Sequence, residues 1–290
     1  MRALITGANG QLGRALADVL ARAHAQVDTA DLPDLDISSM ASVEAWLAGH
    51  EPYDVVYNCA AFTNVDGCEQ DFAAAFAANA LGPMNLSIAC AKIGATLVHV
   101  STDYVFPGTE PGARTEDDGA APISAYGRSK LAGEGLALAN NPRTHVVRTA
   151  WLYGDGRNFV RTMLSLADRF DQITVVDDQL GNPTYAVDLA GELVRIAATK
   201  DYGVWHCTNE GTCSWADLAQ ETFALAGRQT QVVRCTSAEW KQAHPESADR
   251  PAFSSLENHR LAKTIGNGMR PWKEALAAYL EAEGLREGVA

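Results

Sequence analysis

Residues 2–22 read RALITGANGQLGRALADVLAR, and this stretch decides the fold. Residues 2–6 are an apolar run of strand length, GANGQLG follows at once, and the remainder has the apolar spacing of a helix. A glycine-rich turn between a strand and a helix, at the start of a βαβ pattern, is the context a dinucleotide requires. Glycines permit the tight turn and the close approach of backbone to a pyrophosphate, and the helix N-terminus offers it unpaired N–H groups. Such turns also occur without a ligand, so the rest of the chain must supply the remainder of the site.

Working outward, a second strand, Gln26 to Ala30, ends in Asp31, at the spacing expected of an acid that accepts hydrogen bonds from the adenosine ribose. Asp36 and Ile37 can line an adenine pocket with a carboxylate and an apolar face. No Lys or Arg occurs between Ala23 and Ala91. An Asp at the ribose without a base nearby in sequence repels a 2′-phosphate, so NADH is expected to serve at least as well as NADPH.

A helix around Met40 to Ala48 precedes a third strand, Asp54 to Tyr57. Ala60 and Ala61 then leave room for a flat cofactor ring, with Thr63 and Asn64 adding polar groups. A long helix, Phe72 to Ile93, carries Asn79, and strands at Ala95 to Val100 and Val146 to Thr149 follow. This alternation predicts an α/β fold: a Rossmann-like, doubly wound parallel sheet whose ligands gather at the carboxyl ends of its strands. After Trp151 the alternation becomes irregular. The expected division is a dinucleotide-binding domain over 1–150 and a smaller C-terminal, mainly substrate-binding lobe over 151–290, with some segments returning to the sheet. In that lobe Ser214 suits a helix N-cap and Pro271 to Ala282 an amphipathic end helix.

The chemistry concentrates between Val98 and Glu134, where VHVSTDYVF is followed by an acidic loop and then YGRSKLAGE. Tyr126 and Lys130 are four residues apart, so on a helix phenol and ammonium share one face. A cation beside a phenol favours phenolate, lowering its pKa towards working pH, which makes Tyr126 a candidate general acid. Ser101 or Thr102 offers a hydroxyl to the same oxygen. The pair alone is a weak signal; it gains weight from the cofactor turn.

Composition sets the outer bounds. The 290 residues are 47% hydrophobic and 20% charged, with a net charge of −13, and the pI is about 4.9. An acidic surface argues against nucleic acid or an anionic membrane as partner. The chain starts on a strand without a charged leader, no apolar run looks long enough to span a bilayer, and the six Cys form no C-x-x-C pair or metal-like grouping. A cytoplasmic protein with reduced thiols and no metal is the expectation. The run Glu116-Asp117-Asp118 reads as a solvated loop.

Taken together, GANGQLG (7–13), STDYVF (101–106) and YGRSK (126–130) resemble the extended short-chain dehydrogenase/reductases, and within them the dTDP-4-dehydrorhamnose reductases. Further matches are AAFTNVD (60–66), KLAGE (130–134), RTAW (148–151), DQLGNPT (178–184), Ser214-Trp215 and Arg250-Pro251. The resemblance spans nearly the whole chain. It implies NADH- or NADPH-dependent reduction of the 4-keto group of dTDP-4-dehydro-L-rhamnose to dTDP-L-rhamnose. It further implies cofactor contacts at Gly7, Gly10, Gln11, Leu12, Gly13, Asp31, Asp36, Ile37, Ala60, Ala61, Phe62, Thr63, Asn79 and Lys130. Tyr126, Lys130 and Thr102 would carry catalysis, and Thr102, Asp103, Tyr126, Trp151 and Arg250 would meet the substrate. Some members hold a divalent ion at a dimer contact through a Glu just past the glycine loop. Arg14-Ala15 stands here instead, which argues against that metal and leaves monomer or homodimer open. Phe253-Ser254-Ser255 lacks the Asn often found after Arg-Pro in these reductases.

Bland readings stand beside these. Trp151 also suits a core aromatic, Asp103 a turn cap, and Arg250 either a diphosphate clamp or an ordinary ion pair. Two rival functions remain: a non-catalytic regulatory subunit resembling that of S-adenosylmethionine synthetase, and another sugar-nucleotide reductase or epimerase. The complete Thr102/Tyr126/Lys130 set argues against the first. In the sugar-nucleotide 4,6-dehydratases an Asp-Glu pair performs proton elimination, and Tyr104 after Asp103 disfavours that chemistry.

Overall fold

The first apolar run becomes an interior strand of a six-stranded sheet. In the computed structural model, which describes residues 1–286, β1 (Arg2–Thr6) pairs in parallel with β2 (Gln26–Ala30) on one side and β3 (Val55–Asn58) on the other. The sheet continues through β4 (Thr96–Thr102), β5 (Thr144–Thr149) and β6 (Gly203–His206), all parallel, in the order β6-β5-β4-β3-β1-β2. Both faces are covered by helices, which is why β1, β3, β4 and β5 are buried almost without interruption rather than at alternate residues. Residues 287–290, the end of the expected second lobe, lie outside the described residues.

The helices follow from apolar spacing. α1 (Gln11–Arg22) buries Leu12, Leu16 and Leu20 at four-residue intervals. α2 (Met40–Ala48), α3 (Val65–Gln70), α4 (Phe72–Phe76), α5 (Gly82–Ile93) and α6 (Ala125–Asn140) complete the first half. α4 and α5 are one helix, joined by a π turn at Ala77–Leu81. The expectation that no apolar run is long enough to cross a bilayer needs correcting here. Phe72–Ile93 is a continuous helix of 22 residues with mean hydropathy 1.2, long and apolar enough by composition, and half of its apolar window is buried in the fold.

The second half divides its labour. α7 (Phe159–Ala167), α9 (Trp215–Leu225) and the helix Trp272–Ala282 enclose a separate core that includes Leu164, Phe223, Leu276 and Tyr279. Ser214 caps α9 in a reciprocal box with Asp217. α8 (Ala186–Ala197), in contrast, lays Leu189 and Leu193 into the cluster that holds Leu16 and Leu20 of α1. With β6 at the sheet edge, these segments from beyond residue 150 complete the half of the molecule built on the sheet. The acidic loop is also more than solvated: the Glu116 carboxylate accepts the backbone N–H groups of His206 at 2.9 Å and Arg260 at 3.1 Å, tying the loop to β6. Backbone donors at a strand edge need acceptors, and this acid supplies one.

Leu189 is fully buried between α1 and the sheet. Leu189→Ala should therefore destabilise the protein by about 2–5 kcal/mol, read as a lowered urea midpoint with an unchanged slope. A loss below about 1 kcal/mol would mean that α8 is not part of that half's core.

Candidate active site

The strand order reverses beside β1, whose successor β2 lies on one side and β3 on the other, so a crevice opens at their carboxyl ends. The glycine turn sits there. Gly7 has φ +68°, and a Cβ on it would stand 2.5 Å from the backbone nitrogen of Ala60. A Cβ on Gly13 would stand 2.4 Å from the Gly7 carbonyl oxygen. A side chain at either position would collide with backbone and force the turn apart. Gly10 caps α1 with no side-chain acceptor, which leaves the first-turn N–H groups facing the crevice.

A cavity of about 1290 Å³ extends from this turn across the carboxyl ends of β1, β3, β4 and β5. Its wall contains Gly7, Gly10, Gln11, Leu12, Gly13, Asp31, Asp36, Ile37, Ala60, Ala61, Phe62 and Thr63, together with Thr102, Asp103, Tyr126, Lys130 and Trp151. Asp31 is oriented by the N–H groups of Asn9 (2.9 Å) and Leu32 (2.8 Å). Asp36 accepts from Ser38 through both backbone and hydroxyl, and Asn85 holds the following carbonyls of Ile37 and Ser38. Sequence reading missed Trp215, Arg157 and Arg14 in this wall. Arg14 is engaged by Asp155 at 2.9 Å.

Two expected site residues stand behind the wall. Asn79, fully buried on the π turn, accepts the Phe62 N–H at 2.7 Å and donates to the Phe62 carbonyl and the Ser129 hydroxyl, both at 3.0 Å. It positions the loop that lines the cavity instead of lining it. Arg250 pairs with Asp66 at 3.1 Å, the ion-pair alternative, and Asp66 also accepts the Ala248 N–H. This joins α3 to the loop ahead of Pro251.

Tyr126 and Lys130 project from α6, whose first turn is capped by the Ser124 hydroxyl. The helix approaches its surroundings closely at Gly127 and Gly133, where a Cβ would stand 2.1 Å from the carbonyl oxygens of Tyr104 and Asn79 respectively. Lys130 is 2% exposed and donates to the Val100 carbonyl at 2.7 Å. Burial lowers its ammonium to about 8, while the carboxylate of Glu134 opposes that shift. Burial also pushes the Tyr126 phenol above its ordinary range, opposed by its hydrogen bond with Thr102. The expectation of a lowered phenol pKa is thus corrected: desolvation dominates, the nearby Asp103 adds to it, and Tyr126 keeps its proton at neutral pH.

The choice between Ser101 and Thr102 is decided by strand alternation. The Ser101 hydroxyl turns to Glu134, at 2.5 Å. Thr102 faces Tyr126, donates to Asp103 at 3.0 Å and accepts the Tyr104 N–H at 3.2 Å. Asp103 is 2% exposed and has one carboxylate oxygen without a protein partner. Burial raises it to about 7 against hydrogen bonds from Ser254, Thr102 and backbone. Ser254, in the segment that lacks the usual Asn, thus reaches the site from the second lobe. Trp151 lies face to face with Trp215, centroids 3.6 Å apart, and adopts φ +46°, which is uncommon for a bulky residue and clusters at ligand sites.

The glycine cradle, the free helix N-terminus and Asp31 fit a dinucleotide. The sequence and the scaffold match known proteins along nearly the whole chain. The model of the family described as "RmlD substrate binding domain" covers residues 1–284. The dTDP-4-dehydrorhamnose reductase of Mycolicibacterium smegmatis is 42% identical over 279 residues, 95% of this chain and 84% of that protein. Among solved structures, the dTDP-4-dehydrorhamnose reductase of Clostridium acetobutylicum superposes with TM-score 0.94 at 45% identity, covering 98% of this chain and 100% of the other. That of Bacillus anthracis strain Ames, in complex with NADP, gives 0.91 at 35% identity, covering 97% and 99%. The chain belongs to the RmlD substrate-binding-domain family, the family of the dTDP-4-dehydrorhamnose reductases.

Proposed function

We propose that the protein reduces the 4-keto group of dTDP-4-dehydro-L-rhamnose to give dTDP-L-rhamnose, using NADH or NADPH. The observation that carries this reading is the convergence of a dinucleotide cradle and the Tyr126/Lys130/Thr102 set on one cavity. When bound, the nicotinamide supplies the hydride. The residues of the chain do the rest. Hydride addition places negative charge on the sugar's C4 oxygen, and a donor already aimed there stabilises that state more than the ketone. Tyr126, protonated at neutral pH, gives its proton to that oxygen. Thr102 holds the oxygen and the phenol together. Lys130 keeps a positive charge beside the phenol as it loses its proton.

Asp103 orients the sugar hydroxyls, and the Trp151/Trp215 stack forms an apolar wall against the sugar. Release of Arg250 from Asp66 would free its guanidinium for the diphosphate. Relatives that match along nearly the whole chain, those of Mycolicibacterium smegmatis and Mycobacterium tuberculosis among them, are named dTDP-4-dehydrorhamnose reductases, which favours the catalytic reading. We further propose a cytoplasmic enzyme that acts on nucleotide sugars as a monomer or homodimer.

Tyr126→Phe should lower kcat by roughly two or more orders of magnitude with little change in substrate KM. Oxidation of the reduced cofactor by the keto sugar, with NMR identification of the product, measures this; an unimpaired Phe variant would refute the acid assignment. Asp31 at the ribose end predicts kcat/KM for NADH equal to or above that for NADPH. Asp31→Ala should cost NADH roughly tenfold or more. A strong NADPH preference in the unmodified enzyme would defeat the ribose assignment.

A further inference from the structure

α6 carries a third ionisable group on the face that bears Tyr126 and Lys130. Glu134, four residues beyond Lys130, is 3% exposed. Its carboxylate is saturated: Oε1 accepts the Ser101 hydroxyl at 2.5 Å and Arg148 Nε at 3.0 Å, and Oε2 accepts Arg148 Nη2 at 2.7 Å. Arg148 is itself buried on β5, lies over the Phe106 ring at 5.1 Å and reaches His206 on β6 at 3.5 Å. Removing two charges from water costs several kcal/mol per ion, and a hydrophobic pair would often be as stable. A fold has little structural need for this pair. Its placement is informative: Ser101, which the carboxylate grips, adjoins the Val100 carbonyl that receives the Lys130 ammonium.

We propose that Glu134 is a positioning residue for the reduction, holding the Lys130 ammonium charged and in place beside Tyr126 through Ser101 and the end of β4. This rests on the reductase reading above. The groups around Lys130 support it. Cys59 at the end of β3 is held neutral, its thiol pushed up to about 12 by burial. His99 on β4 is held neutral as well, its pKa depressed by burial and by Lys130. Tyr126 keeps its proton. Glu134 is then the one anion opposing the desolvation of Lys130, which sits at about 8. The carboxylate does this without a direct contact, so it does not lock the ammonium away from a ribose hydroxyl. Arg148 and Ser101 occupy its acceptor positions and fix its place beside β4.

The test is kcat/KM against pH, from about pH 5.5 to 9.5, for the unmodified enzyme, Glu134→Gln and the double variant Glu134→Gln/Arg148→Met, with thermal unfolding measured alongside. The double variant removes both charges, so a Gln variant that fails to fold beside an unpaired guanidinium leaves the test intact. Loss of the carboxylate should move the alkaline limb about one unit towards lower pH. Activity would then be near that of the unmodified enzyme at pH 6 and roughly fivefold lower at pH 8, with substrate KM nearly unchanged. A folded double variant with the original pH profile overturns the proposal, and so does a loss of activity equal at every pH, which marks a purely structural role. Failure of the unmodified enzyme to oxidise either cofactor with the keto sugar would instead overturn the reductase reading, and this proposal with it.

Discussion

At Gly127 and Gly133, α6 rests on backbone, with no room for a methyl group between the helix and the carbonyls of Tyr104 and Asn79. Interior glycines cost a helix roughly 0.5–1 kcal/mol each relative to alanine, so the close seat is obtained against local preference. Its effect is to place the Tyr126 phenol against Thr102 at the end of β4 and to thread Lys130 under the cofactor crevice. The π turn at Ala77–Leu81 serves the same seat. It turns Asn79 towards the Phe62 loop and Ser129, so the loop lining the cavity and α6 are held by one amide.

Around this seat the charges are arranged by burial. Lys130, Glu134, Arg148 and Asp103 are all nearly inaccessible, and each shifts or pairs according to its neighbours. Low dielectric makes such groups strong and costly at once. The second lobe contributes the groups that close over the ligand side: Ser254 at Asp103, Trp215 against Trp151, and the loop tied by Arg250 to Asp66. The lobe therefore contributes Trp215 to the cavity wall, while the strand ends and the glycine turn supply most of the rest.

Much of this was legible in residue order. The glycine turn, Asp31, the Tyr126/Lys130 spacing and the alternation of strands and helices up to residue 150 are local patterns, and local patterns survive in sequence. Where reading failed, the cause was long-range. Asn79 has the composition of a cofactor contact, but a π turn sets where its amide points. Arg250 cannot reveal a partner 184 positions away. Glu116 reads as one of three solvated acids until β6 brings His206 and Arg260 to it. The phenol pKa went in the opposite direction because spacing reports a neighbouring charge and is silent about desolvation. Ser101 and Thr102 could have been told apart from sequence, since successive strand residues face opposite ways.

The crossing of α8 and β6 back onto the first half has a consequence for biosynthesis. A chain emerging from the ribosome presents the leucines of α1 long before Leu189 and Leu193 exist to cover them. The sheet likewise lacks its outer strand until His206 has been made. Domains ordinarily fold as units, the N-terminal one first. Here the cofactor half must wait with an apolar face open to solvent, so the growing polypeptide is most vulnerable to misassociation between the synthesis of its first and second halves.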